Sequence, residues 1–182
     1  ADPNPRFLSE KLVSGEALNM GSTAERIHDR FPQLTKERSD RYALASQQKA
    51  AAAYDNGKLQ PDLIPVSIRS ESGWGLATRD EALRPETTLE GLAALKTPFR
   101  PHGRVTAGNA SGLNDGATIS LLASEATAKE LGLTAKMKLV SFAFAGVEPE
   151  IMGIGPVPST EKALRKAGLS ITDIGLFELN EA

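Results

Sequence analysis

The chain has 182 residues, 40% of them hydrophobic, enough to bury one core of ordinary size or parts of two smaller ones. Its formal net charge of −2, with Lys and Arg dispersed rather than striped along one face, argues against a nucleic-acid partner. There is no cysteine, and His28 and His102 are the only histidines, which excludes disulfides, thiol catalysis by these residues and a His/Cys metal centre. No apolar run approaches the roughly 18 residues of a membrane span, and the start lacks a charged-then-apolar export signal. The expected setting is soluble and cytoplasmic.

The opening ADPNPRFLSE has neither a helical nor a strand period and reads as a segment arriving from a preceding piece. From Ser22 to Ala53 the pattern predicts two helices. Ser22-Thr23-Ala24-Glu25 offers a capping box for the first, and Thr35-Lys36-Glu37-Arg38 starts the second. In the second helix Tyr42, Ala45, Gln48 and Ala52 recur at helical spacing, which predicts a packed face. Leu63 to Arg69 alternates like an exposed edge strand, and the charged, glycine-rich stretch after it reads as a surface excursion. Trp74 lies there without an assigned role.

Leu89 to Leu95 predicts a short helix ended before Pro98. Gly103, Gly108, Gly112 and Gly116 then interleave with Thr106, Asn109, Ser111, Asn114 and Asp115 and lead into the apolar run 117–123. Small residues at that density let backbone pass close to something. The last third reads as a strand (Lys138 to Val147), a Pro/Gly loop (Glu148 to Pro158), a helix (Ser159 to Gly168) and a strand (Ile174 to Leu179), an α/β unit. Ser159 is the expected N-cap and Gly168 the stop. The chain ends on Asn180-Glu181-Ala182 at the C-terminal end of a predicted strand, where ligands and chemistry gather in α/β sheets.

Three segments in this order resemble the thiolases, particularly the degradative 3-ketoacyl-CoA thiolases of fatty-acid β-oxidation. They are Asn19-Met20-Gly21-Ser22-Thr23-Ala24-Glu25; Val105-Thr106-Ala107-Gly108-Asn109-Ala110-Ser111-Gly112-Leu113-Asn114-Asp115-Gly116; and Met152-Gly153-Ile154-Gly155-Pro156-Val157-Pro158, followed by Phe177-Glu178-Leu179-Asn180-Glu181-Ala182. The resemblance implies an α/β fold class: a loop domain plus parts of the two halves of a five-layered αβαβα architecture. Residues 1–113 resemble the loop domain that covers coenzyme A, 114–134 the end of the N-terminal half, and 135–182 the start of the C-terminal half. It further implies an acyltransferase that cleaves 3-ketoacyl-CoA with coenzyme A to acetyl-CoA and a shortened acyl-CoA, or runs the reverse condensation. The intermediate is an acyl-cysteine.

That chemistry requires a thiolate to form the acyl-enzyme and a base near neutral pH to deprotonate coenzyme A or reprotonate the leaving carbanion. The family's Cys nucleophile, its His and its second Cys are not among these 182 residues, so the isolated chain is expected to be inactive. A non-catalytic coenzyme A-binding or protein-interaction module of thiolase ancestry is the alternative. Asn180 matches the family's asparagine that positions an oxyanion-hole water, and is the catalytic candidate; without the resemblance it reads as an Asn closing a strand. Met20, Phe99 and Met152 match apolar positions of the acyl and pantetheine pocket, with ordinary core packing as the other role. Ala107 and Ser111 match the backbone and hydroxyl that approach the pantetheine arm. Arg84 matches an arginine at the nucleotide end, where a planar cation stacks on a ring or pairs with phosphate; a solvated surface role is the alternative.

Asn19 stands where several family members carry His, and Gly91 where a Ser often faces the nucleotide. His28 and His102 match no catalytic role and read as structural or solvated. The resemblance implies coenzyme A as substrate, with no covalently bound cofactor and no metal. It implies as partners acyl-CoA, coenzyme A, the remaining parts of a thiolase chain and further copies in a homodimer or homotetramer.

Overall fold

Asn19 starts the first long helix: its Oδ1 accepts the N–H groups of Gly21 and Ser22, at 3.0 and 3.4 Å, so helix α2 runs Met20–Arg30. This computed structural model describes residues 4–181. The expected capping box at Ser22 is therefore not the start, because Asn19 already takes the first free donors three residues earlier. A short helix, α1 (Pro5–Ser9), precedes it, with Asn4 as its cap. Helix α3 (Lys36–Asp55) starts where expected, its Thr35 hydroxyl accepting from Arg38 N–H.

The expected packed face of α3 differs. Tyr42 is exposed, as are Gln48 and Ala52, whereas the buried positions are Asp40 and Tyr54. A short helix, α4 (Leu89–Ala93), packs on α3. Lys36 Nζ closes α4 by donating to the Leu92 carbonyl at 2.8 Å, a cation on the free acceptors of a helix C-terminus. Among the described residues Tyr54, Leu92 and Val105 are the buried hydrophobic side chains here, beside Thr23, Glu25, Asp40 and Thr106, so the packing around α3 and α4 leans on buried polar groups as much as on hydrocarbon.

Strand β1 (Val66–Ser70) pairs antiparallel with β2 (Gly73–Ala77), Val66 opposite Ala77 and Arg69 opposite Trp74. The second strand lies inside the glycine-rich stretch that reads as an excursion. Its alternation is hidden because glycines take two of its five places and so carry no hydrophobic signal. After the hairpin, Tyr54 holds the returning chain: its hydroxyl donates to Asp80 Oδ2 at 2.8 Å and accepts Asp80 N–H at 2.9 Å, while Arg79 sits 4.6 Å from the ring centroid.

Helices α2 to α4 and the hairpin, within residues 19–112 and joined by Glu181, form one compact unit; the rest, α1 included, to residue 18 and from 113 to 180, forms another. In the latter, α5 (Glu125–Glu130) has Ser124 as its cap, and α6 (Pro156–Ala167) ends at Gly168, whose φ of 68° is the left-handed stop that glycine supplies. Helix α6 begins three residues before the expected Ser159 because Pro156 occupies its first turn, where a missing N–H costs nothing. The Ser159 hydroxyl instead donates back to the Gly155 carbonyl at 3.0 Å.

Residues 138–147 and 174–179, expected as strands, make no ladder among the described residues. From Ser141 to Val147 burial still alternates, so the segment is extended with one side on α6. Ser141 donates to the Ala163 carbonyl at 2.7 Å, and Lys162 and Lys166 reach the carbonyls of Phe144 and Phe142 at 3.0 and 3.1 Å. Those carbonyls lie two residues apart and so point the same way, the side a neighbouring strand would occupy. The lysines one helical turn apart cover them instead.

Candidate functional site

The glycine-rich loop 103–109 is built around two buried carboxylates. Glu25, carried inward by α2 and 2% exposed, places Oε1 at 2.7 Å from both Arg104 N and Val105 N. Its Oε2 lies 3.0 Å from Arg100 Nη2, an ion pair that lacks the alignment of a hydrogen bond. Asp40, on α3 and also 2% exposed, accepts from Lys36 Nζ at 2.6 Å and from Asn109 Nδ2 at 2.9 Å. Asn109 in turn folds the loop on itself, Oδ1 accepting Thr106 N–H and Nδ2 donating to the Arg104 carbonyl, each at 2.8 Å. The Arg104 guanidinium ties the loop to the turn after α2 through the carbonyls of His28 and Leu34, both at 2.9 Å. His28 has the structural role expected of it, its Nδ1 lying 2.7 Å from the Leu34 carbonyl oxygen.

The close approach that the glycines permit is to the protein's own side chains. A Cβ on Gly103 would lie 2.4 Å from Glu25 Oε1, and one on Gly108 would lie 2.4 Å from Leu92 Cδ2 and 2.5 Å from Leu95 Cδ1. Gly21 is covered in the same way, by the ring of Phe99.

Met20 is the residue before Gly21, and it and Phe99 are partly exposed, at 48% and 40%. Ala107 lies on the loop just described and Ser111 two residues beyond its end, both exposed, with the Ser111 hydroxyl donating to the Gly112 carbonyl at 3.3 Å. Arg84 follows the strap held by Tyr54. Its own N–H donates to Gln47 Oε1 at 2.8 Å, which fixes its backbone to α3. No hydrogen bond described here joins Arg84 to Met20, Phe99, Ala107 or Ser111. Met152 and Asn180 belong to the other compact unit: Met152 lies half-exposed in the 3₁₀ segment Pro149–Ile154, and Asn180 is exposed after residues 174–179.

The clearest concavities, about 540 Å³ bounded by Phe144, Lys162, Arg165 and Lys166 and about 410 Å³ bounded by Ile68, Leu76, Asp80 and Leu83, contain none of these residues. Among the described residues no three His, Cys, Asp or Glu side chains gather as metal ligands, and no helix is long and apolar enough to cross a membrane.

One shifted carboxyl belongs to this neighbourhood. Arg100 forks onto Asp29 with two 2.8 Å bonds, and that hydrogen bonding holds the Asp29 carboxyl below the usual carboxylate range. A depressed folded value means the pair stabilises above the unfolded value and that the gain is lost as pH falls through the folded one, below about pH 4. Asp29 is half exposed, so the expected contribution is at most about 1 kcal/mol. The stability difference between the parent and Asp29→Asn, read from denaturation midpoints, is expected at pH 7 and should shrink progressively as pH falls below about 4. A difference that persists in acid would assign it to something other than the ion pair.

The residues that sequence reasoning missed are Glu25, Asp40, Arg104 and Asn109. Glu25 carried a signal, but of a different kind, since its spacing from Ser22 imitates a capping box. Lys36 and Asp40 are four apart and read as a solvated helix pair.

Comparison with known proteins finds relatives over most of the chain. The family model described as "Thiolase, N-terminal domain" matches residues 9–126, and "Thiolase, C-terminal domain" matches 133–182. The chain is 51% identical over 177 residues to the 3-ketoacyl-CoA thiolase of Aliivibrio fischeri, covering 96% of the chain and 45% of that protein. It is 48% identical over 165 residues to the 3-oxoadipyl-CoA/3-oxo-5,6-dehydrosuberyl-CoA thiolase of Escherichia coli, covering 90% and 41%. Among solved structures it is similar to the Bacillus anthracis acetyl-CoA acetyltransferase, with a TM-score of 0.82 at 42% identity over 86% of this chain and 40% of that one. It is also similar to the human mitochondrial 3-ketoacyl-CoA thiolase, with a TM-score of 0.78 at 39% identity over 90% and 41%. The chain spans less than half the length of these relatives.

Proposed function

The chain belongs to the thiolase family, and we propose that it carries the coenzyme A-covering part of an acyltransferase that cleaves 3-ketoacyl-CoA with coenzyme A. A cysteine thiolate attacks the 3-keto carbon, the bond between C2 and C3 breaks, the departing acetyl-CoA carbanion takes a proton, and coenzyme A accepts the acyl group from sulfur. The observation that carries this reading is the 51% identity sustained over 96% of the chain to a protein named for that activity.

In this reading residues 1–113 are the loop domain, 114–134 the end of the N-terminal half and 135–182 the start of the C-terminal half. Met20, Phe99 and Met152 line the acyl and pantetheine pocket, Ala107 and Ser111 meet the pantetheine arm, and Arg84 meets the nucleotide. Asn180 holds the oxyanion-hole water, so its role is to stabilise charge that grows as the carbonyl is attacked. The half-exposed state of Met20, Phe99 and Met152 supports a role as walls awaiting a flexible apolar ligand. Either direction of the reaction, cleavage or the reverse condensation, a cytoplasmic setting and a homodimer or homotetramer complete the proposal; the bacterial source of the first two relatives supports the setting.

Two proteins assayed side by side test it: the complete product of the reading frame that contains these residues, and the 182-residue chain alone. The complete product is expected to carry a nucleophilic Cys and a His and to consume acetoacetyl-CoA only when coenzyme A is added. The chain alone, without any cysteine, is expected to show no turnover. A complete product that binds coenzyme A but has no such residues and no turnover would favour the binding-module alternative. Turnover by the chain alone would overturn the acyl-cysteine chemistry.

A further inference from the structure

We propose that Glu25 is a positioning residue for the amide-bearing arm of coenzyme A, acting through the loop 103–109; this rests on the reading of the chain as part of a coenzyme A-dependent thiolase. The loop's donors are almost all taken. Glu25 Oε1 accepts Arg104 N–H and Val105 N–H, Asn109 Oδ1 accepts Thr106 N–H, the Thr106 hydroxyl accepts Gly108 N–H at 3.2 Å, and the Thr106 carbonyl accepts Asn109 N–H at 3.3 Å. Within 104–109, Ala107 is the residue whose N–H finds no acceptor among the described residues, and it is exposed.

A peptide donor left open between satisfied neighbours is poised for a carbonyl from outside, and an amide chain such as pantetheine supplies one. Its direction is set by the peptide planes two and three residues before it, which Glu25 fixes with two charge-assisted bonds from a side chain far away in sequence. A fully buried carboxylate is not needed for stability as such, since well-packed apolar groups of similar volume do at least as well. What apolar packing cannot do is hold two consecutive N–H groups in one orientation.

The test is calorimetric titration of the complete product and its variants with pantetheine and with adenosine 3′,5′-bisphosphate, the two ends of coenzyme A. Glu25→Ala is expected to weaken pantetheine about tenfold or more, the scale on which a displaced contact is felt, and to leave the nucleotide end unchanged. Glu25→Gln keeps an oxygen that can accept both N–H groups and should retain pantetheine binding. If Glu25→Ala does not fold, Gly103→Ala takes its place, because its Cβ would lie 2.4 Å from Oε1 and displace the carboxylate without removing it. Equal weakening of both ends would show a merely structural role and overturn the proposal, as would unchanged pantetheine binding in folded Glu25→Ala or Gly103→Ala. Failure of the unsubstituted protein to bind either probe would instead overturn the coenzyme A reading, and this proposal with it.

Discussion

Replacing Asn180 with Ala in the complete product is expected to lower kcat about 10²–10³-fold while KM changes little, the effect of losing one oxyanion-hole donor. The split follows from timing. A donor aimed at an oxygen that becomes negative only as the carbonyl is attacked stabilises the transition state more than the bound substrate. If the donor acts through a held water, the loss falls toward the lower end of that range. Asn180→Asp is expected to be at least as damaging, since a carboxylate there repels the developing oxyanion. The residue follows 174–179, a run whose composition predicts a strand, and the C-terminal end of a strand is where such a group gathers in α/β sheets. Steady-state kinetics on both variants, with folding checked by circular dichroism, decides the matter. Near-normal kcat in either folded variant would leave Asn180 as a chain-turning residue.

Helix α6 shows what a sequence makes legible: its end at Gly168 follows from a residue that takes a φ of 68° without strain, whereas its start was hidden because a Pro/Gly run resembles a loop until Pro156 is recognised as a first-turn proline. The segment 138–147 shows the opposite. Its alternation was readable and its burial alternates, but a ladder is a property of two strands, and no strand pairs with it among the described residues.

For the site, the small residues of the loop announced a close approach but not its partner. The partner is Glu25, whose importance comes from burial and from bonds to residues far along the chain, and neither quantity is written in local spacing. Asp40 was concealed for the same reason. Seen along the helix it is one half of an ordinary Lys36–Asp40 pair; seen in space it is the point where α3, α4 and the loop meet.

That junction makes Asp40 the second position where a large effect is expected. Asp40→Ala removes the acceptor of both Lys36 Nζ and Asn109 Nδ2 at a site 2% exposed. Breaking a buried pair from one side typically costs about 3–5 kcal/mol, because the other charge is left without compensation. Lys36 is 23% exposed and keeps the Leu92 carbonyl, which places the expectation at the lower end, about 3 kcal/mol. Asp40→Asn retains one acceptor oxygen but turns its NH₂ toward one of two donors, so about 1–3 kcal/mol is expected. The pair Glu37–Arg41 on the same helix is the internal control: both side chains are about two-thirds exposed, and Glu37→Ala is expected to change stability by less than about 1 kcal/mol. Urea denaturation of the complete product reads all three, a 3 kcal/mol loss moving the midpoint by about 1 M or more at ordinary slopes. If Asp40→Ala moves it no further than Glu37→Ala, the buried carboxylate does not hold the loop against the helices.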